Sequence, residues 1–445
     1  MTVIEVRPPV SQQQLLWCTP GQSDAFSPRF VMGRALRITG RIDAAALQAA
    51  LDDVVARHEM LRTIVVRDAE PPYQEIHPPL PVPLTVRDLP TPAEARAQAA
   101  EDLLGEAEDS SIDVEQLPLL RATLTRFDDS DWVLSVVTHH SGCDGWSMNL
   151  ILRDLVEYYA ARIGDRPAEL PDIPQYQDYV RWQQAEIEQP RTATKMAYWQ
   201  RQLAGAQLFG LPGDHPVPAR YTAPYYRHPF FIDRETTAAV NRFTKAERCS
   251  GFMVMLAAFN VLAHRISGSL DPTISTVFHG RSDPRFQDTL GMFMNFPIMR
   301  TDLAGCRSFQ DVVLRTRATC LDALEHEVTL PQILQAMPSI RSALRHPVNA
   351  YSVFSYWDLT LTRATGEPYQ IGEGATVIRR SSRQSEKLPG GTTWGMVATP
   401  SGEVSCGLQY NSEVFEEQTI ADWTADYCRI VAAAMADPNQ NWQQL

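Results

Sequence analysis

Long apolar runs are missing from this 445-residue chain. No segment approaches eighteen uncharged hydrophobic residues, so no membrane-spanning helix and no membrane partner are expected. The first residues, Met-Thr-Val-Ile-Glu-Val-Arg-Pro-Pro, carry no basic stretch leading into an apolar run. That excludes an ordinary secretory leader and leaves the cytoplasm as the default location. Positive charge is in deficit: 40 Lys and Arg against 53 Asp and Glu give a formal charge of −13. A polyanion needs a concentrated positive surface, so nucleic acid is not an expected partner. The seven cysteines (Cys18, Cys143, Cys249, Cys306, Cys320, Cys406, Cys428) are scattered and form no Cys-x-x-Cys pair. They suggest neither a zinc site nor a disulfide framework, and no metal is expected. There is no Walker-type loop and no Gly-x-Gly-x-x-Gly run, so nucleotide activation is not expected here. What remains, 44% hydrophobic and 21% charged, is an ordinary globular composition, and the length calls for two domains or more.

The stretch that stands out is Val133-Leu-Ser-Val-Val-Thr-His139-His140-Ser-Gly-Cys-Asp144-Gly145-Trp-Ser147. Val133 to Val137 is apolar and rich in β-branched residues, as a buried strand should be. Side chains alternate along a strand, so His139 and His140 point to opposite faces and only one can meet a given reaction site. Gly142 and Gly145 let the chain turn around Asp144. Ser147 is the expected N-cap of a following helix with apolar positions Ile151, Leu152, Leu155 and Tyr159. Imidazole changes charge near neutral pH, so a histidine on such a turn suits a general base. A satisfied core histidine beside a helix-capping aspartate fits the same residues. Cys143 reads as a small buried thiol rather than a nucleophile.

Elsewhere the pattern predicts a strand over Arg34–Thr39, then a helix capped by Asp43 with Leu47, Leu51, Val54 and Val55 inward. The proline-rich residues 69–94 read as strand edges and loops, and 92–107 as an acidic helix. Pro167, Pro171 and Pro174 mark a linker, so the boundary between lobes is placed near residue 175, giving lobes 1–175 and 176–445. Linking helices and a Pro-rich passage fill about 176–225. Beyond them the pattern predicts helices at 235–247, 251–266 and 417–434, with a strand pair at 393–398 and 403–410.

His-His-x-x-x-Asp-Gly is similar to the signature of condensation domains of nonribosomal peptide synthetases, within the wider chloramphenicol-acetyltransferase-like superfamily. Further stretches fit in the family's order. Gln13-Gln-Leu-Leu16-Trp17 resembles the first motif, with Leu15 at its usual arginine, and Arg57-His58-Glu59-Met-Leu61-Arg62-Thr63 the second. Tyr176-Gln-Asp178-Tyr179-Val-Arg-Trp182-Gln183 resembles the fourth. Leu290-Gly291-Met-Phe293-Met-Asn295-Phe-Pro-Ile-Met-Arg300, with Arg281 before it, resembles the fifth. Around His326–Pro331 and Arg345–Pro347 the order of the last motifs survives while the residues differ.

The resemblance implies an α/β fold of two chloramphenicol-acetyltransferase-like lobes arranged as a V-shaped pseudodimer, with a substrate tunnel between them. It implies a condensation enzyme that joins a carrier-tethered acyl or aminoacyl thioester to an alcohol or amine acceptor. The partners would be a peptidyl or acyl carrier protein, whose phosphopantetheine arm arrives as part of the substrate, and a small-molecule acceptor. No bound cofactor is implied. His140 would be the catalytic residue, as base or as positioning group, and His139 structural. Asp144 either orients His140 as in a Ser-His-Asp triad or pairs with Arg281, the second being the family habit. The Gly145 N–H is a candidate donor to the histidine or the oxyanion, Arg62 would brace the turn, and Trp146 and Asn295 are candidates for lining the channel. His279-Gly280-Arg281 lacks a following Asp-Gly, so one active site is expected, not two. With no carrier or adenylation segment beside it, the chain reads as free-standing, nearest to the ester-forming enzymes of enediyne antibiotic assembly. The rival readings are a coenzyme A-dependent or polyketide-type O-acyltransferase, an epimerisation domain, and a non-catalytic recruitment module.

Overall fold

A computed structural model describes residues 7–18, 26–28, 30–218, 225–343, 349–358, 371–378, 384–386, 391–399 and 402–445. The seventh-motif candidate at 345–347 lies outside them. By contacts the chain forms two compact units: 1–188 with 279–294 and 363–381, and 189–278 with 295–362 and 382–445. The expected boundary at 175 therefore moves. Helix Tyr176–Ile187 packs with the first unit because Tyr176 and Tyr179 enter its core beside Phe286 and Phe293. Those two phenylalanines arrive from more than a hundred residues away, a pairing with no local sign in the sequence.

The first unit is built on a five-stranded sheet in the order Gly374–Val377, Val31–Thr39, Asp131–His139, Leu120–Asp128, Leu84–Asp88. All neighbours are antiparallel except the last pair. Strand Asp131–His139 sits at the centre and all of it but Trp132 is buried, because both faces are covered. Leu134 and Val136 join Leu36 and Ile38 in a core with the helices Ala44–Arg57 and Gly145–Ile163. Val133, on the other face, meets Ala35 and the helix Arg96–Glu108. Asp43 caps the helix after the first strand by accepting from Ala45 and Ala46.

Among the described residues the second unit holds a mixed eight-stranded sheet, with the short strand Gly210–Pro212 pairing antiparallel to Asn349–Asp358 off the main path. Its order is Ile298–Arg300, Thr273–Thr276, Asn349–Asp358, Thr392–Ala398, Val404–Asn411, Tyr225–Ile232, Gln384–Glu386. Strand Asn349–Asp358 runs parallel to both of its neighbours in that order. Helix Gly251–Ser267 is buried without a break from Met253 to Ala263. No single helix among the described residues is long and apolar enough to cross a membrane. Arg234–Glu247 and Gly251–Ser267 reach that length only together, and they meet at a 108° bend.

Candidate active site

The antiparallel register sets the histidine turn. His139 lies opposite Val31, and the His140 N–H continues the ladder by donating to the Phe30 carbonyl at 2.9 Å. Directly opposed residues share a face, so the Phe30 ring stacks on His140 with centroids 4.6 Å apart and planes 11° off parallel. Trp17 closes the edge at 5.7 Å. The chain then turns through Gly142, whose N–H donates to the His139 carbonyl. The helix begins at Gly145, three residues earlier than expected, because Asp144 and not Ser147 is its N-cap. Its carboxylate accepts from Ser147 N at 2.8 Å. Ser147 instead bonds the backbone of Gly291 both ways and accepts from Arg281.

The two histidines differ in what is left free. His139 has both ring nitrogens engaged. Its Nδ1 accepts from the Ser141 amide at 3.1 Å and lies 2.8 Å from the Ser141 hydroxyl, so the proton sits on Nε2, which donates to the Ser27 carbonyl at 2.9 Å. Burial pushes its pKa down to about 4, against that carbonyl's pull. His140 is 8% exposed, and its Nδ1 is buried without a hydrogen-bond partner. Burial lowers its pKa too, opposed by the carbonyls of its own turn and the Asp144 charge. It is a neutral imidazole with uncommitted nitrogen.

Asp144 makes no hydrogen bond to the His140 ring. Its two oxygens take a bidentate pair from Arg281 at 2.7 and 3.1 Å, and one also accepts from Phe293 N at 3.2 Å. Both side chains are sealed from solvent, at 0% and 1% exposure. Burial raises the carboxyl pKa, and the Arg281 guanidinium and the Ser147 hydrogen bonds together outweigh it, so Asp144 stays below the ordinary carboxylate range and ionised. Arg281 also lies over the Phe293 ring at 4.0 Å. Gly280, at φ +67°, is required just before it, because a Cβ there would collide with the Phe293 carbonyl.

The other expected site residues fare differently. Gly145 faces open space, with nothing within 4 Å of where a Cβ would stand. Trp146, half-buried, donates its indole N–H to the Gln287 carbonyl at 2.8 Å and stacks on His279. Arg62 is buried against the His77 carbonyl, both just outside the paired strands Thr63–Val66 and Tyr73–Ile76. The second-motif residue that abuts the turn is Met60, whose carbonyl stands 3.0 Å from the Cβ position of Gly142. Asn295 is a channel-lining candidate. It is buried, donating to Val328 O at 2.8 Å and accepting from Leu330 and Phe296 amides, which spends its amide inside the second unit.

Two features escaped the sequence reading. Phe30, which stacks on His140, follows only from the strand register. Asp154, fully buried, is held by His58 at 2.8 Å, Arg57 at 2.9 Å and Arg153 at 2.8 Å. A carboxylate between Ile151 and Leu155 on an inward helix face was the available signal. Among the described residues no group of three or more His, Cys, Asp or Glu could hold a metal ion.

The family model for the condensation domain matches residues 5–445. The chain belongs to the condensation-domain family. It is similar to chondramide synthase from Chondromyces crocatus, 34% identical over 97% of this chain and 11% of that protein. A linear gramicidin synthase from Brevibacillus parabrevis is 31% identical over 91% of the chain and 5% of its own length. The chain thus spans about a tenth or less of these synthases. Among solved structures, the SgcC5 protein from Streptomyces globisporus, in complex with (R)-(-)-1-(2-naphthyl)-1,2-ethanediol and sucrose, has a TM-score of 0.90 and 37% identity. That match covers 98% of this condensation chain and all of SgcC5. The X-domain from teicoplanin biosynthesis has a TM-score of 0.81 at 25% identity, covering 100% of this chain and 98% of its own. The two-lobed α/β fold expected from the motifs is the fold of these proteins.

Proposed function

We propose that this condensation-family protein transfers an acyl or aminoacyl group from the phosphopantetheine arm of a carrier protein to an alcohol or amine acceptor, with His140 as the reacting histidine. The observation that carries the reading is the contrast in the turn: both His139 nitrogens are bonded, whereas the His140 ring is neutral and uncommitted. With the ring's proton on the buried Nδ1, the Nε2 lone pair is left to accept. The acceptor oxygen or nitrogen attacks the thioester carbonyl carbon, and its proton passes to His140 Nε2. The tetrahedral oxyanion then collapses, the C–S bond breaks, and the departing sulfur takes the proton back from the imidazolium. The products are an ester or amide and the free carrier thiol. The Gly145 N–H, an orphan donor of the helix's first turn beside open space, fits the oxyanion.

An alcohol gains most from a base, because it is a poor nucleophile until its proton is leaving. The likeness to SgcC5, crystallised with an aromatic 1,2-diol, supports an aromatic alcohol as acceptor, ester formation and the enediyne type of enzyme. The decisive experiment offers one acyl group on a carrier protein, on coenzyme A and on a small thiol, with candidate alcohols and amines. Turnover should be highest from the carrier. Equal or better turnover from the coenzyme A ester would make this an ordinary acyltransferase. Carrier binding without turnover of any donor would make it a recruitment module.

A further inference from the structure

His279 has no part in the chemistry above, yet it packs against the histidine motif. It opens the 279–294 segment that folds with the first unit. The Arg281 amide donates to its Nδ1 at 3.0 Å. A ring nitrogen that accepts from an amide holds its lone pair there, so a neutral His279 carries its proton on Nε2. Burial, and then the Arg281 charge, keep the ring neutral by lowering its pKa. Nε2 has no hydrogen-bond partner among the described residues, and the residue is exposed, so that nitrogen is open to a ligand. The geometry therefore leaves one N–H with no assigned acceptor, on a ring that cannot also serve as a base through Nδ1.

Its surroundings narrow the ligand. The ring stacks on Trp146 with centroids 5.6 Å apart and planes at 30°. Trp146 is pinned, because its indole N–H is spent on the Gln287 carbonyl. It offers a fixed π-face and no polar group. The neighbouring Gly145 borders open space, five residues past His140 in the chain. A single N–H donor beside an aromatic platform suits a flat ring carrying an oxygen.

We propose that His279 is a positioning residue for the acceptor, its Nε2–H donating to the oxygen of an aromatic 1,2-diol that is not acylated, with the Trp146 face beside the aromatic ring. This rests on the alcohol-acceptor reading and adds to it the recognition of a second oxygen. The test needs no donor: the dissociation constants of 1-(2-naphthyl)-1,2-ethanediol, 1-(2-naphthyl)ethanol and 2-(2-naphthyl)ethanol are measured calorimetrically. The full-length protein should bind the diol about tenfold more tightly than either single alcohol, the scale of one net hydrogen bond. His279→Gln, which keeps an N–H donor, should retain most of that ratio, and His279→Phe, which keeps the stack alone, should bring it to about one. A ratio that survives His279→Phe overturns the assignment and leaves the alcohol reading standing. So does an equal loss for all three ligands, the mark of a structural role. Failure of the unaltered protein to bind any of the three overturns the aromatic-alcohol reading and the assignment together.

Discussion

Near the middle of the first unit, Asp144 and Asp154 are sealed from water and held by Arg281, and by His58 with Arg57 and Arg153. At the middle of the second, Phe259, Phe354, Trp394 and Tyr427 pack ring against ring at 5.0–5.6 Å, around a helix that is almost wholly apolar. Both units are a sheet flanked by helices, but they settle the same packing problem with different chemistry. A buried ion pair is stable only while both members and their hydrogen bonds are present, and apolar packing of similar volume often holds as well or better. The first unit therefore carries charge where rings would have sufficed. The position of that charge explains why: Asp144 caps the helix, anchors the 279–294 segment through Arg281 and Phe293, and fixes the turn that presents His140.

The largest effect should come from breaking that anchor. Asp144→Ala strands the Arg281 guanidinium in a sealed site, and the expected loss is roughly 3–5 kcal/mol of unfolding free energy. Adding Arg281→Met should recover part of it, since the second change removes the unpaired charge. Trp394→Ala in the second unit should cost a similar 3–5 kcal/mol through its cavity. No single polar partner would be available there to restore it. Denaturant titration of the parent, the three single variants and the double variant separates the cases. Additive losses for Asp144→Ala and Arg281→Met would show that the pair is not coupled.

Acid should expose the same asymmetry. Four histidines whose pKa is lowered by burial, His58, His139, His140 and His279, belong to the first unit. A folded-state pKa below the unfolded value means that the unfolded chain binds protons first. Stability is therefore intact above about 6.5 and is lost as pH falls through the folded value. For His139 that window runs from 6.5 to about 4, and at about 1.4 kcal/mol per unit it amounts to about 3 kcal/mol at most. Unfolding followed by tryptophan fluorescence should show a steady fall in midpoint between pH 6.5 and pH 4.5. A flat profile there would mean that these rings accept protons without unfolding.

What the sequence revealed divides along the same line. The histidine strand, the Asp43 cap and the helices at 176–187, 251–267 and 417–436 were legible, because period, caps and glycines act over a few residues. The helix start at Gly145 was misplaced by three residues, since Asp144 and Ser147 are both good caps and the carboxylate wins. The strand Gly374–Val377 beside Val31–Thr39, and the Phe286 and Phe293 contacts with Tyr179, join residues more than a hundred apart and leave no local trace. The hydrogen bonds of Asn295 were hidden for a similar reason. Its partners Val328 and Leu330 come from a later segment and use up the amide.

The smallest effect in energy, and the sharpest for function, separates the adjacent histidines. His140→Ala should lower turnover about a hundredfold, close to 2.7 kcal/mol of barrier, as expected for a positioned acid-base group. It should leave stability nearly unchanged, because the ring gives up stacking on Phe30 but no hydrogen bond at Nδ1. His139→Ala removes a ring whose two nitrogens tie the strand end to Ser141 and Ser27, leaving the Ser27 carbonyl without that donor. It should lower the melting temperature first and activity only with it. Turnover of the pure proteins below their melting points, beside thermal scans, resolves the two. If His139→Ala abolishes turnover in a protein that melts normally while His140→Ala remains active, the reacting ring has been placed on the wrong face of the strand.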